Sequence, residues 1–214
     1  NNIKLLIVAN IGTTITGAHD QVKKILTIIN KYNIPRTNYY IHCDAALSGC
    51  ILPLIEEASK YKFGFDNDVD SISVSGHKFL GTPIPCGVVI TKKQYMENWS
   101  TNIEYINSSD TTIGGSRSGF AIIALWLAIM NKTSEEFISE YYTCLDNADY
   151  LIELFNTKKI KAWRNPFSII VIFPKPNQII IDKYQLACQD NISHIVVTPS
   201  VTKQILKQFI DEYY

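Results

Sequence analysis

The sequence predicts an α/β protein, a largely parallel sheet followed by a small α+β unit, and three observations carry that expectation. A branched apolar run opens the chain at residues 4–9, as a central strand would. Strand-like and helix-like segments then alternate at the spacing of βαβ units. Beyond residue 157 the order becomes strand, helix, strand, helix on a smaller scale.

The first strand ends in Asn10-Ile11-Gly12-Thr13-Thr14, which is loop chemistry. Residues 20–32 place Val22, Ile25, Leu26, Ile28 and Ile29 near helical period, with Asp20 as the expected cap and Pro35 beyond the end. Residues 39–46 read as a second strand and residues 72–75 as a third, with a short helix around residues 53–60 between them. This alternation implies a parallel sheet covered on both faces. Residues 85–90 read as another strand, antiparallel to its neighbour because the connection is short.

The stretch Gly119 to Met130 is apolar almost throughout, which predicts a buried helix; it is too short for a membrane span of roughly 20 residues. Residues 134–155 carry Phe137, Tyr141, Leu145, Ala148, Leu151 and Phe155 at spacings of three and four, so the region is one long bent helix or a close pair. Residues 168–173 follow as a strand, 182–189 as a short helix, 194–197 as a strand and 200–213 as a closing helix.

Composition narrows the function classes. Of 214 residues, 46% are apolar and 19% charged, the balance of an ordinary globular chain. Twenty basic residues against twenty acidic ones, with no basic run, argue against nucleic-acid binding. No signal peptide is apparent, which predicts a cytoplasmic protein. Five widely spaced cysteines lack a CxxC pair or a histidine at metal spacing, so reduced core cysteines are expected and no metal site.

The chemistry concentrates at two strand ends. Asp44 closes the second strand and is followed by Ala45 and Ala46; Lys78 follows the third, in Ser75-Gly76-His77-Lys78. A carboxylate at the carboxyl end of a parallel strand sits where open α/β sheets bind ligands, and small neighbours leave room for a flat group. The plainer alternative is that Asp44 and Lys78 simply pair at the sheet edge. Thr13 and Thr14 could likewise only begin a turn, and Ser116 could cap the apolar helix. His42, two residues before Asp44 on the same strand face, reads as a satisfied structural histidine, and His19 and His194 as structural or exposed.

The segments HCDAALSG and, about thirty residues later, SVSGHKFLG resemble the group II pyridoxal-phosphate-dependent amino-acid decarboxylases of fold type I. The branch they resemble contains bacterial histidine decarboxylases and plant serine decarboxylases. ANIGTTITGA, TTIGGSRSG, QLA and SHIVV extend the resemblance in family order over nearly the whole chain. It implies that residues 1–115 are the carboxyl-terminal part of the cofactor-binding large domain, 116–156 a linking long helix or helix pair, and 157–214 the small α+β domain.

By the same resemblance, Lys78 matches the lysine that forms a Schiff base with the aldehyde of pyridoxal 5′-phosphate. Asp44 matches the aspartate facing the pyridine nitrogen, and Ala46 the small residue against one ring face. Ser75 and His77 match donors to the phosphate, Thr13 the loop hydroxyl near the phenolic oxygen, and Ser116 a group reaching the phosphate of a neighbouring subunit. The implied reaction converts an L-amino acid, histidine- or serine-like, to its amine and carbon dioxide. A homodimer, or association with a missing amino-terminal half, is implied as well, because family members carry a long segment before the first strand seen here. An inactive remnant serving as a binding or assembly subunit is the alternative.

Overall fold

Branched apolar residues at alternating positions build the central sheet. In the computed structural model, which describes residues 3–97 and 99–213, β1 (Leu5–Asn10), β2 (Tyr39–Asp44) and β3 (Ser71–Ser75) run parallel in the order β1-β2-β3. The fourth strand, β4 (Gly87–Thr91), lies antiparallel on β3, as the short connection predicts. The register sets Asn10 beside Asp44 and Asp44 beside Ser73, so the carboxyl ends of all three parallel strands finish at one rim.

One sheet face is packed. Ala9, Ile41, Cys43 and Ile72 are buried with Val22 and Ile29 of α1 (Val22–Lys31) and with Leu52, Ile55 and Ala58 from the segment between β2 and β3. That segment forms 3-10 turns at Leu52–Leu54 and Glu56–Tyr61 rather than the expected helix. Gln21, not Asp20, occupies the cap position of α1 and makes no side-chain bond there. The Asp20 carboxylate instead accepts the Asn10 N–H at 2.8 Å, tying the helix entrance back to the end of β1.

The other face is open, contrary to the expectation of cover on both sides. Leu6 (72% exposed) and Val89 (67%) project from it, and a cavity of about 810 Å³ there is bordered by Leu6, Tyr40, Val89, Tyr95, Met96 and Trp99. Tyr95 and Met96 come from α2 (Lys93–Glu97), which precedes a small hairpin of β5 (Thr101–Ile103) and β6 (Ser108–Asp110). On this open face His42 is satisfied, with Nδ1 at 2.7 Å from Ser71 Oγ and Nε2 at 3.2 Å from Ser73 Oγ.

At the amino end of β3 a carboxylate is wholly enclosed. Asp70 accepts the Ile41 N–H at 2.8 Å and the Tyr95 hydroxyl at 2.7 Å, pairs with Arg36, and has Lys92 Nζ at 3.4 Å. Burial alone would raise its pKa; the Ile41 N–H, Tyr95 and Arg36 together outweigh burial and hold the carboxyl below the usual range.

The apolar helix is α3 (Gly119–Met130), capped by Ser118, whose Oγ accepts the Ala121 N–H at 3.4 Å. It is not buried: of its residues only Ala124 is, whereas Ile122, Ile123, Trp126 and Met130 face solvent. A helix apolar all round needs cover on every side, and the described residues supply it on one. Replacing Ile122 by Glu together with Trp126 by Lys, an i,i+4 pair of opposite charge, should leave the unfolding free energy of this chain within about 1 kcal/mol. The same double variant should reduce dye binding and light scattering; a stability loss well beyond that would show that this helix face already has a partner within the chain.

Asn131 ends α3, and a capping box starts α4 (Ser134–Thr157): Thr133 Oγ1 accepts the Glu136 N–H at 3.2 Å while the Glu136 carboxylate accepts the Thr133 N–H at 2.7 Å. The two helices are therefore a close pair. Tyr141, Cys144 and Leu145 of α4 join the core under the sheet; Ala148, Leu151 and Phe155, further along, join a second core. That second core packs α4 on β7 (Ile170–Pro174) and α6 (Lys203–Glu212), with the Phe155 and Phe173 rings stacked at 4.8 Å.

Between β7 and α6 lie α5 (Gln178–Tyr184), β8 (Ala187–Gln189) and β9 (Ile192–Val196), the strands forming an antiparallel sheet in the order β7-β9-β8. The expected helix over residues 182–189 is thus displaced. Asn177 caps α5 by accepting the Ile180 N–H at 3.1 Å, and Gln185 in left-handed conformation (φ 49°) ends it, which frees residues 187–189 to pair as an edge strand.

Candidate active site

The rim where β2 and β3 end carries most of the residues singled out from sequence. Asp44, the last residue of β2, is exposed, and its Oδ1 accepts the Ala46 N–H at 3.2 Å. Ala46 is stitched to the next strand, its carbonyl accepting the Ser75 N–H at 3.1 Å, so the small residue and the serine lie side by side. Beyond Ser75 the chain turns tightly: the Gly76 N–H reaches the Cys86 carbonyl at 3.0 Å and the Thr82 N–H returns to the Gly76 carbonyl at 3.0 Å. Gly76 is required there, because a Cβ would come within 2.4 Å of Cys86 Sγ and 3.0 Å of Leu125 Cδ1.

This turn presents His77 and Lys78 to solvent. His77 Nδ1 lies 3.2 Å from the Cys86 nitrogen and 3.1 Å from the Cys86 carbonyl oxygen, while Nε2 has no partner among the described residues. Lys78 Nζ forms no ion pair or hydrogen bond among the described residues, so the pairing of Asp44 with Lys78 at the sheet edge does not occur. An anion, a small residue, an unpartnered amine and donors on the adjacent turn form one surface.

Thr13 belongs to the loop after β1 and is engaged within it. Its Oγ1 accepts the Ala18 N–H at 3.0 Å and lies 3.0 Å from Thr16 Oγ1, a pair in which either hydroxyl can donate. Ser116 stands apart in the exposed segment 111–118, where no hydrogen bond from the described residues reaches its side chain and Ser118, not Ser116, caps α3.

Sequence reasoning missed two supports of the loop. His19 Nε2 is 3.1 Å from Ser48 Oγ, and Asn165 Nδ2 donates to the Thr16 carbonyl at 2.8 Å. His19 Nδ1 is enclosed and lacks a well-formed hydrogen bond. Burial lowers the His19 pKa to about 4, with the Pro166 carbonyl and Asp20 opposing the shift only in part. The unfolded chain takes up a proton here near pH 6.5 and the folded chain does not until about pH 4, so stability contributed above 6.5 is lost as the pH falls between those values. The expected loss is about 3 kcal/mol across that window, read from denaturant midpoints; a His19→Gln variant with the same pH slope would assign the effect elsewhere.

Three of the thiols are held inert by burial. All five cysteines are free, and burial pushes Cys43 up to about 12 and Cys50 and Cys144 up to about 11, so these three stay protonated at neutral pH.

A family model described as the pyridoxal-dependent decarboxylase conserved domain matches residues 1–171. The chain belongs to the pyridoxal-dependent decarboxylase family. Serine decarboxylase 2 of Oryza sativa subsp. japonica is 46% identical over 212 residues, which are 99% of this chain and 45% of that protein. Histidine decarboxylase of Acinetobacter baumannii (strain AYE) is 44% identical over 193 residues, 90% of this chain and 50% of its own length. Among solved structures, L-methionine decarboxylase from Streptomyces sp.590 superposes with a TM-score of 0.87 at 25% identity, covering 97% of this chain and 53% of that one.

The chain therefore spans about half the length of the relatives it matches, and its fold is part of the fold-type I fold of these decarboxylases. The family's cofactor is pyridoxal 5′-phosphate. The residues present fit that group chemically: a carboxylate for a protonated ring nitrogen, an amine for an aldehyde, and an imidazole and hydroxyls for a phosphate.

Proposed function

We propose that this chain is the carboxyl-terminal portion of a longer or split decarboxylase that converts a histidine- or serine-like L-amino acid to its amine and carbon dioxide. The observation that carries the proposal is the unpartnered amine of Lys78 on the turn after β3, with the exposed carboxylate of Asp44 ending the adjacent parallel strand. When bound, the cofactor supplies the electron sink that lets a carboxylate leave as carbon dioxide. Lys78 anchors the cofactor aldehyde, Asp44 holds a proton on the ring nitrogen, and Ala46 leaves one ring face clear. His77 and Ser75 donate to the phosphate, Thr13 turns its hydroxyl toward the phenolic oxygen, and Ser116 reaches the phosphate of a neighbouring subunit in a homodimer.

In this reading residues 1–115 complete the cofactor-binding domain together with an amino-terminal half, residues 116–156 link the two units, and residues 157–214 form the small domain. The exposed apolar helix and the open sheet face favour association with that half. They also favour a second reading, an inactive subunit used for assembly, whose stability would be indifferent to cofactor. Five unpaired thiols suit a reducing compartment such as the cytoplasm.

Incubation with pyridoxal 5′-phosphate, borohydride reduction and mass-spectrometric mapping test the proposal. Selective modification of Lys78 is expected; modification scattered over the other lysines, or none, would overturn it.

A further inference from the structure

The loop that carries Thr13 is gripped on two sides. From the turn after β2, Ser48 meets it twice: Ser48 Oγ is 3.1 Å from His19 Nε2, and it lies where a Cβ on Gly12 (φ +101°) would come within 2.7 Å. Ser48 is itself buried and follows Asp44 and Ala46 in one short segment. From the carboxyl-terminal side, Asn165 holds the Thr16 carbonyl, and Gly17 lies so close to Ser168 that a Cβ would fall 1.9 Å from its Oγ. Thr13 sits between these grips, with its main-chain N–H and its hydroxyl both bonded to Ala18, the neighbour of His19.

Packing does not account for a histidine at position 19. The ring stacks at a tilt on Tyr61, centroids 5.4 Å apart, while Nδ1 is shut away from water with no well-formed hydrogen bond among the described residues, and the Pro166 carbonyl acts on the ring only in part. A buried nitrogen without a well-formed hydrogen bond costs about as much as one neutral hydrogen bond returns, so an apolar side chain of similar size would fill the site with little loss of stability. What histidine alone adds is a directed bond to Ser48.

We propose that His19 is a positioning residue, which through Ser48 fixes the Thr13 loop against the Asp44–Ala46 segment so that hydroxyl and carboxylate meet the cofactor in one set relation. The inference rests on the reading that Thr13 and Asp44 contact pyridoxal 5′-phosphate. It makes the loop's order a property of the cofactor-free protein.

His19→Leu, Ser48→Ala and His19→Gln separate positioning from packing. In the cofactor-free protein, His19→Leu and Ser48→Ala should each raise amide exchange at Thr13 and Ala18 by about tenfold, while His19→Leu keeps the parent's denaturation midpoint. With pyridoxal 5′-phosphate added, the same two variants should bind it about tenfold more weakly and shift the pH at which the visible band of the bound cofactor changes. His19→Gln, whose amide can still reach Ser48, should restore both readouts to within about threefold of the parent. Parental exchange and a parental spectrum in His19→Leu would overturn the positioning role while leaving the functional reading intact. A parent protein that takes up no cofactor at Lys78 would overturn both.

Discussion

Asp44→Asn will keep Lys78 open to modification by pyridoxal 5′-phosphate, yet carbon dioxide release by the completed enzyme should fall by about 10²–10³-fold, the scale of losing one preorganised electrostatic partner. The two readouts separate because they draw on different residues. Capture of the aldehyde needs only the Lys78 amine, which has no competing partner among the described residues. The chemical step also needs a proton held on the ring nitrogen, and an amide that carries no charge cannot hold it there. Asp44 makes this substitution clean, since among the described residues its Oδ1 is hydrogen-bonded only to the Ala46 N–H and asparagine can keep that bond. Unchanged turnover in Asp44→Asn would remove Asp44 from the chemistry. Loss of Lys78 labelling would instead mean that Asp44 shapes the rim itself.

Asp70→Ala should destabilise the protein by about 3–5 kcal/mol, the cost of removing one member of a buried charged network. The substitution strands the Ile41 N–H and the Tyr95 hydroxyl and leaves Arg36 and Lys92 facing each other without an anion. Because native domains hold only about 5–15 kcal/mol in total, this is the largest stability effect expected from a single side chain here. Acid should reproduce part of it in the parent. The folded carboxyl is held below its usual range, so its contribution is present above the ordinary carboxylate pKa and disappears as the pH falls through the lower folded value. An Asp70→Ala variant with the parent's denaturant midpoint would mean that the cluster's attractions merely cancel the desolvation of its charges.

The parallel sheet and the rim were legible because each leaves a local trace, whereas residues 116–156 read equally as one bent helix or a close pair. Alternation placed His42 on the face of Asp44, and the structure satisfies it there with Ser71 and Ser73. The Thr133–Glu136 box separates α3 from α4 and is written in four consecutive residues. Asp70 left no such trace, since Arg36, Lys92 and Tyr95 reach it from distant parts of the chain. His19 read as ordinary for the same reason: Ser48 is 29 positions away. The exposure of α3 was not readable either, because an apolar composition states that cover is needed and not where it comes from. In the small unit, Gln185 adopts a left-handed conformation without being glycine or asparagine, so the end of α5 carried no signal in the residue type.

The helix α4 gives one stretch of side chains to the core beneath the central sheet and the next stretch to the core around Phe155. Neither core can lose its packing without stripping one end of the same helix, and helix formation is itself cooperative. The two should consequently melt together. Calorimetry of this chain should give a single heat-absorption peak whose van't Hoff and calorimetric enthalpies agree, although the described residues form two cores and three sheets that share no strand.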